Sequence, residues 1–264
     1  MCVTLVLMAT EPALTRRERL RAEALDEIRR HGYQQIAAGG PTALSLNGIA
    51  KAMGMSGPAM YRYFSSRDEL LATLVTESYE DLAQTLERAV SAVASAPAED
   101  RLRATLGAYR AWARANPHRY LLVFGSTYGS GELDPERIIP ASARSMAVLL
   151  AGLADLDPNT PGPNVTDDAL RSEIQQWGKT RAGDQVTDPG VQLLGLLTWS
   201  RLHGIISLEI EGFYDQVGVS PELLYESEIE HLIDQRKNSP AQQAPRGRTP
   251  DQERPSHPGP RRTR

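Results

Sequence analysis

The sequence predicts an all-α fold, and three observations carry that prediction. Apolar residues recur at helical spacing almost everywhere, while alternating strand patterns are scarce. Two Ser/Thr-x-x-Glu signatures, Thr15–Glu18 and Ser66–Glu69, mark helix starts. Runs rich in Gly, Pro, Asp and Ser interrupt the periodic segments.

The first helix should begin after Thr15 and run through Leu20, Leu25, Ile28 and Ile36 to the break at Gly39-Gly40-Pro41. "LSLNGIAKAM" is a short helix opened by Ser45 and ended by Gly54, where a positive φ is cheap only for glycine. Ser56 can cap the next short helix, with Pro58 tolerated in its first turn. The second capping box starts a long helix from Arg67 to about Val93. Helices are expected near 100–115, 118–124 and 136–154, then from Ala169 to Trp177. One continuous helix is expected over Val191–Tyr214, and a last one after Ser220, with Pro221 at its first position.

At 264 residues the chain can form one or two domains with a sizeable core. Its net charge of -4 means that any basic surface must be local. Cys2 is the single cysteine, which excludes a disulfide framework and a Cys-based zinc site. The opening run "MCVTLVLMAT" lacks a basic start and falls short of the roughly 20 residues a membrane span needs. No other run looks long enough to cross a bilayer, so a cytoplasmic location and no membrane partner are expected. Residues 1–14 are expected to be extended or disordered, with Met8 an alternative start. From Asn238 to Arg264 the chain has no large apolar residue and cannot offset its ordering entropy. This basic tail is either a solubilising segment or a source of non-specific DNA attraction.

Ile49, Met53, Met55, Met60 and Tyr63 fit two short helices crossing at a sharp angle, with Ala50 small where they approach. That is the arrangement of a helix-turn-helix, whose second helix enters the major groove of DNA. Ser45, Ser56, Tyr61, Tyr63 and Arg67 carry groups suited to phosphate oxygens, and both short helices have amino ends to offer an anion. Between Thr15 and Leu70 the basic residues outnumber the acidic ones, so the segment is positive within an acidic chain. The alternative is an ordinary amphipathic helix at "AMYRYF".

The stretch "ALSLNGIAKAMGMSGPAMYRYFSSRDELLATL" resembles the DNA-binding domain of TetR-type transcriptional regulators. The resemblance spans roughly Thr15 to Leu74, and "YRYF" followed by "SRDELL" is its most specific part. It implies a three-helix DNA-binding domain over 15–65 and a helical ligand-sensing and dimerising domain over 66–237. It also implies phosphate contacts from Tyr61, Tyr63 and Arg67. "AYRAWARANPHRYLLVFG" and "TWSRLHGIISLEIEG" look like the WHG-type C-terminal domain of this family, with Trp199, His203 and Gly204 as its namesakes.

Base discrimination usually needs Arg, Asn or Gln on the reading helix. Here only Ser56 and Arg62 can hydrogen-bond through side chains, and Gly57, Pro58 and Ala59 could touch thymine methyls. Asn47 and Lys51 could reach neighbouring bases or phosphates. Direct readout is therefore sparse, and DNA shape is expected to carry part of the specificity.

The segment Val191–Tyr214 is apolar almost all round, and the last helix has a narrower stripe. Trp199, Leu202, Ile206, Ile210, Leu224 and Leu232 are expected in a four-helix interface of a homodimer, the alternative being a helix buried in a monomer. Trp112, Tyr120, Phe124, Met146 and Trp177 either line an effector cavity or are plain core. Such a cavity would take an apolar or amphipathic effector. His203 has no second ligand at metal spacing and is expected to be packed and hydrogen-bonded. No metal, cofactor or catalytic residue is expected. Three functions follow: a ligand-responsive regulator, a repressor by expectation, acting on a palindromic operator as a homodimer; a constitutive or architectural DNA-binding protein; or an all-helical enzyme, for which no nucleophile–base pair can be named.

Overall fold

The computed structural model describes residues 15–125, 135–157, 162–181 and 188–237. The expectations for the terminal segments 1–14 and 238–264 lie outside these residues. The described residues form α-helices and one short 3-10 turn, with no strand among them.

Helix α1 (Arg16–Gly39) starts at the expected capping box: Thr15 Oγ1 accepts from the Glu18 amide, and the Thr15 amide donates to the Glu18 carboxylate at 2.8 Å. That bond holds the Glu18 carboxyl below its ordinary value. The helix stops at Gly40, whose φ of 73° suits glycine. A 3-10 turn (Pro41–Ala43) leads into α2 (Leu46–Ala52) and α3 (Gly57–Met60).

Helix α4 (Arg67–Ala92) is capped by Ser66, whose Oγ accepts from the Glu69 amide. The second capping box is displaced by one residue, because the Glu69 carboxylate accepts from the amide and hydroxyl of Ser65 rather than from Ser66. Then follow α5 (Ala98–Ala115), α6 (Pro117–Phe124), α7 (Pro135–Leu156) and α8 (Asp168–Arg181). Helix α8 runs one turn past the expected end at Trp177. The continuous helix expected over Val191–Tyr214 is instead two, α9 (Pro189–Ile210) and α10 (Phe213–Val217). Gly212, at φ 74°, breaks it. Helix α11 (Pro221–Lys237) starts where expected, with the Leu223 amide on Ser220 Oγ.

Two apolar cores result. The first joins Ile28, Ile36, Ile49, Met60 and Phe64 to Leu70, Leu71, Leu74 and Val75 of α4 and Leu122 of α6. The opening turns of α4, past the boundary expected at 65/66, close the N-terminal core. The second core gathers Leu82, Leu86, Leu102, Leu150, Leu153, Leu202, Ile206, Ile229 and Leu232. Helix α4 belongs to both.

A polar seam lies beside α4 between the cores. Tyr33 Oη donates to the Leu74 carbonyl at 2.9 Å, and the Arg119 guanidinium sits 4.3 Å from the Tyr33 ring centroid. Asp81 accepts from both Arg119 and the Trp112 indole at 2.9 Å. Burial raises the Tyr33 hydroxyl and the Glu77 carboxyl above their ordinary values, against the lowering influence of nearby arginines.

Helix α7 corrects another expectation. Over Glu136–Leu156 it is long and apolar enough to cross a membrane by length and composition. Here it packs against α4, α5, α8 and α9, with Leu149, Leu150 and Leu153 in the second core. The start of α9 crosses the 162–163 segment closely. A Cβ at Gly190 would lie 2.5 Å from the Gly162 carbonyl carbon and the Pro163 oxygen, so only glycine permits that approach.

Candidate nucleic-acid interface and ligand cavity

The turn between α2 and α3 is built by three residues. Gly54 adopts φ 66°, the Met55 amide donates back to the Ala50 carbonyl at 2.8 Å, and Ala50 is buried under the crossing. Ser45 caps α2 through the Gly48 amide, and Ser56 caps α3 through the Ala59 amide. Gln35 of α1 accepts from the Ser45 amide at 2.8 Å and so fixes α2 against α1. Past Met60 the chain continues in tight turns, with the Arg62 amide on Ala59 and the Tyr63 amide on Met60.

This geometry leaves most of the expected DNA-facing residues at the surface. Ser45, Asn47, Lys51, Ser56, Pro58, Tyr61 and Arg62 are exposed, and Gly57 and Tyr63 are half-buried. Lys51 and Arg62 make no ion pair among the described residues. Tyr63 is braced from behind by Arg21, whose guanidinium lies 5.2 Å from the ring centroid.

Two expectations change. Arg67 is turned inward, donating to the carbonyls of Leu44 at 3.1 Å and Pro41 at 2.6 Å and pairing with Asp68 at 3.0 Å. These bonds fasten α4 to the turn before α2 and occupy donors that the resemblance assigned to a phosphate, while the side chain stays 34% exposed. The amino end of α3 is also a poor anion site, because Pro58 has no N–H and the Ala59 N–H is taken by Ser56. Arg29 pairs with Asp26 and Glu77, and Arg30 with Glu27. The cations left exposed are Arg16, Arg17, Arg19 and Arg21 of α1 together with Lys51 and Arg62. Charge counting could not separate these from the paired arginines, although the i,i+3 acids Asp26 and Glu27 were a legible signal.

The second core borders a partly open cavity of about 340 Å³. Of the residues expected in a cavity or in plain core, Phe124, Met146 and Trp177 line it and also pack against the core. Trp112 and Tyr120 do not line the cavity. The Trp112 indole is held by Asp81, and the Tyr120 hydroxyl lies 2.6 Å from Nδ1 of His203. The His203 ring stacks on Trp199 with centroids 5.0 Å apart, so this histidine is packed and hydrogen-bonded. Sequence reasoning missed Tyr79, Tyr109, Ser142, Ser145 and Arg181, which also line the cavity. Arg181 follows Trp177 by four residues, one helical turn on, which was the available clue.

The expected interface residues divide. Leu202, Ile206 and Leu232 are at most 3% exposed and belong to the protomer's own core, so they cannot meet a partner. Trp199 and Ile210 are half-buried, and Leu224 is exposed. The exposed apolar side of α9 is instead Leu197 and Leu208, in line with Arg201 and Gly204. Arg201 reaches Glu228 of α11 at 3.2 Å, which makes this face continuous with the one carrying Leu224.

Comparison with known proteins agrees with both halves of the molecule. Residues 22–74 match the family model of bacterial regulatory proteins of the tetR family, and residues 102–232 match a tetracyclin repressor-like C-terminal domain. The chain is 31% identical over 213 residues to the HTH-type transcriptional regulator Rv1816 of Mycobacterium tuberculosis, covering 76% of this chain and 87% of that one. The crystal structure of the protein SCO4313 is 37% identical, with a TM-score of 0.69, covering 83% of this chain and all of its own. The fold alone is shared with the transcriptional regulator FadR from Bacillus subtilis, solved in complex with stearoyl-CoA. That structure has a TM-score of 0.53 at 16% identity, covering 79% of this chain and 97% of its own.

Proposed function

The chain belongs to the TetR family of bacterial regulatory proteins and is a DNA-binding transcriptional regulator, and from that premise we propose that it is a homodimeric, ligand-responsive repressor of a palindromic operator. The observation that carries the reading is α4. One unbroken helix has its first turns in the core beneath the reading helix and its later turns, at Tyr79, Leu82 and Leu86, in the wall of the cavity. A molecule that binds the cavity better in one setting of α4 than in another shifts the balance between the two by that difference in affinity. FadR carries stearoyl-CoA on the same fold, which supports a small apolar or amphipathic effector.

In this reading the exposed face of α9 and α11 meets its two-fold copy and holds the two reading helices about one DNA turn, roughly 34 Å, apart. Lys51, Tyr61 and the α1 arginines hold the backbone, and Arg62 supplies the one long side chain for a base edge. The protein works in the cytoplasm, where its DNA is.

The test is a selection of binding sites from random duplexes, followed by thermal shift with a set of small apolar molecules with and without the selected DNA. A ligand that raises the melting temperature and lowers DNA affinity supports the proposal. A palindromic site bound with no ligand effect across the set makes the protein a constitutive binder. Failure to select any site overturns the reading.

A further inference from the structure

Among the described residues, Arg181 carries the single full charge in the cavity wall. The other lining residues are aliphatic, aromatic or hydroxyl-bearing, with no Asp, Glu, Lys or His among them. Arg181 ends α8, half-buried, one turn after Trp177, and both line the cavity. Its guanidinium donates to Ser142 Oγ at 3.3 Å and has no carboxylate partner among the described residues. The Ser142 hydroxyl donates in turn to the Ile139 carbonyl at 3.0 Å, and Ser145 stands one turn further along α7. One part of the wall is thus cationic and hydroxyl-lined. Elsewhere stand Leu82, Leu86, Phe124, Met146 and Leu149.

A guanidinium facing an apolar cavity without a counter-ion is costly, because low polarity raises the price of an unpaired charge. The arrangement makes sense when an anion completes it. Arg presents a planar fork of donors that a carboxylate meets with two parallel hydrogen bonds. The C-terminal end of α8 also favours the cation, but that effect needs no cavity and no apolar wall opposite it.

We propose that the effector is an amphipathic monocarboxylate, its carboxylate paired with Arg181 beside Ser142 and its hydrocarbon portion laid along the Phe124, Met146 and Leu149 wall. The inference rests on the reading of the cavity as an effector site and adds the chemistry of the headgroup. An uncharged apolar molecule of the same length fills the same wall but leaves the guanidinium unpaired. A cationic amphiphile meets repulsion there.

The test uses full-length protein and three probes of equal chain length, decanoate, decanol and decylamine, at concentrations below their aggregation limits. Dissociation constants are measured by quenching of tryptophan fluorescence, since Trp177 and Trp199 both line the cavity. Wild type should bind decanoate at least about tenfold tighter than decanol and show the weakest binding to decylamine. Arg181→Met keeps the apolar stem and removes the charge. It should abolish the preference for decanoate while leaving decanol binding within about twofold, and Arg181→Lys should restore part of the preference. Melting curves of both variants establish that they fold. Equal affinity for decanoate and decanol, or a preference that survives Arg181→Met, overturns the headgroup assignment and leaves the cavity reading standing. No binding of any of the three probes overturns both.

Discussion

The Tyr120 hydroxyl lies 2.6 Å from Nδ1 of His203, and the His203 ring stacks on Trp199. Burial pushes the His203 pKa below its ordinary value of 6.5. The folded protein therefore holds a neutral imidazole, and the unfolded chain takes up the proton first as pH falls. Stability linked to His203 is fully present above about 6.5 and is lost as pH drops from there through the folded pKa. Urea unfolding at pH 7 and pH 5 should show a larger drop in midpoint for wild type than for His203→Gln. Parallel drops would mean that the ring is charged in the fold. Tyr120→Phe should cost about 1 kcal/mol at pH 7, the loss of one buried hydroxyl's hydrogen bonds.

Lys51 and Arg62 are both exposed and without an ion pair among the described residues, yet their positions predict different losses. Lys51→Ala should weaken binding to all duplexes alike and reduce the slope of log affinity against log salt by about 1. Arg62→Ala should remove discrimination at one base pair per half-site, about 1–3 kcal/mol. Uniform weakening by Arg62→Ala, measured by fluorescence anisotropy on variant operators, would assign it to phosphate instead.

Arg67 behaves as a fastener for the carbonyls of Pro41 and Leu44. Arg67→Ala should lower folding stability by about 1.5–3 kcal/mol, the range for hydrogen bonds to a charged group. Well below its melting temperature the variant should keep the wild-type salt slope for DNA. Unchanged stability with a slope reduced by about 1 would place Arg67 on the DNA backbone.

Two leucines on one helix should respond in opposite ways. Leu208 is 38% exposed on α9, whereas Leu202 is 1% exposed. Leu208→Glu should shift sedimentation from dimer to monomer with little change in secondary structure. Leu202→Ala should cost about 2–5 kcal/mol of stability, the range for emptying a core leucine site. A dimer that survives Leu208→Glu removes this face from the interface.

Local chemistry was readable from the sequence where it is self-contained. Thr15, Ser45, Ser56 and Ser66 all cap the helices they precede, because a cap depends on residues two or three positions away. Gly54 likewise declares its turn. Arg67 was not readable, since its partners Pro41 and Leu44 lie 26 and 23 positions away and are backbone atoms, which carry no sequence signal. The division between core and outer face of α9 failed for a different reason. A helix apolar on nearly every side has no preferred direction in its pattern, so Leu202 and Leu208 look alike until neighbours are in place. The capping box at Ser66 slipped by one residue because Ser65 and Ser66 offer the same donor to Glu69.

Helix α4 has 26 residues, which at 1.5 Å each makes a rod about 39 Å long. Mechanically it is a lever arm. Pivoting it by about 5° at Leu86, about 28 Å from Arg67, sweeps the Arg67 end through about 2.5 Å. That travel approaches the rise per phosphate of one strand along the duplex axis, about 3.4 Å. Because Arg67 clamps the near end of the rod to the turn that leads into α2, α2 and α3 must ride with it, and a tilt of a few degrees moves them by nearly the height of one base step.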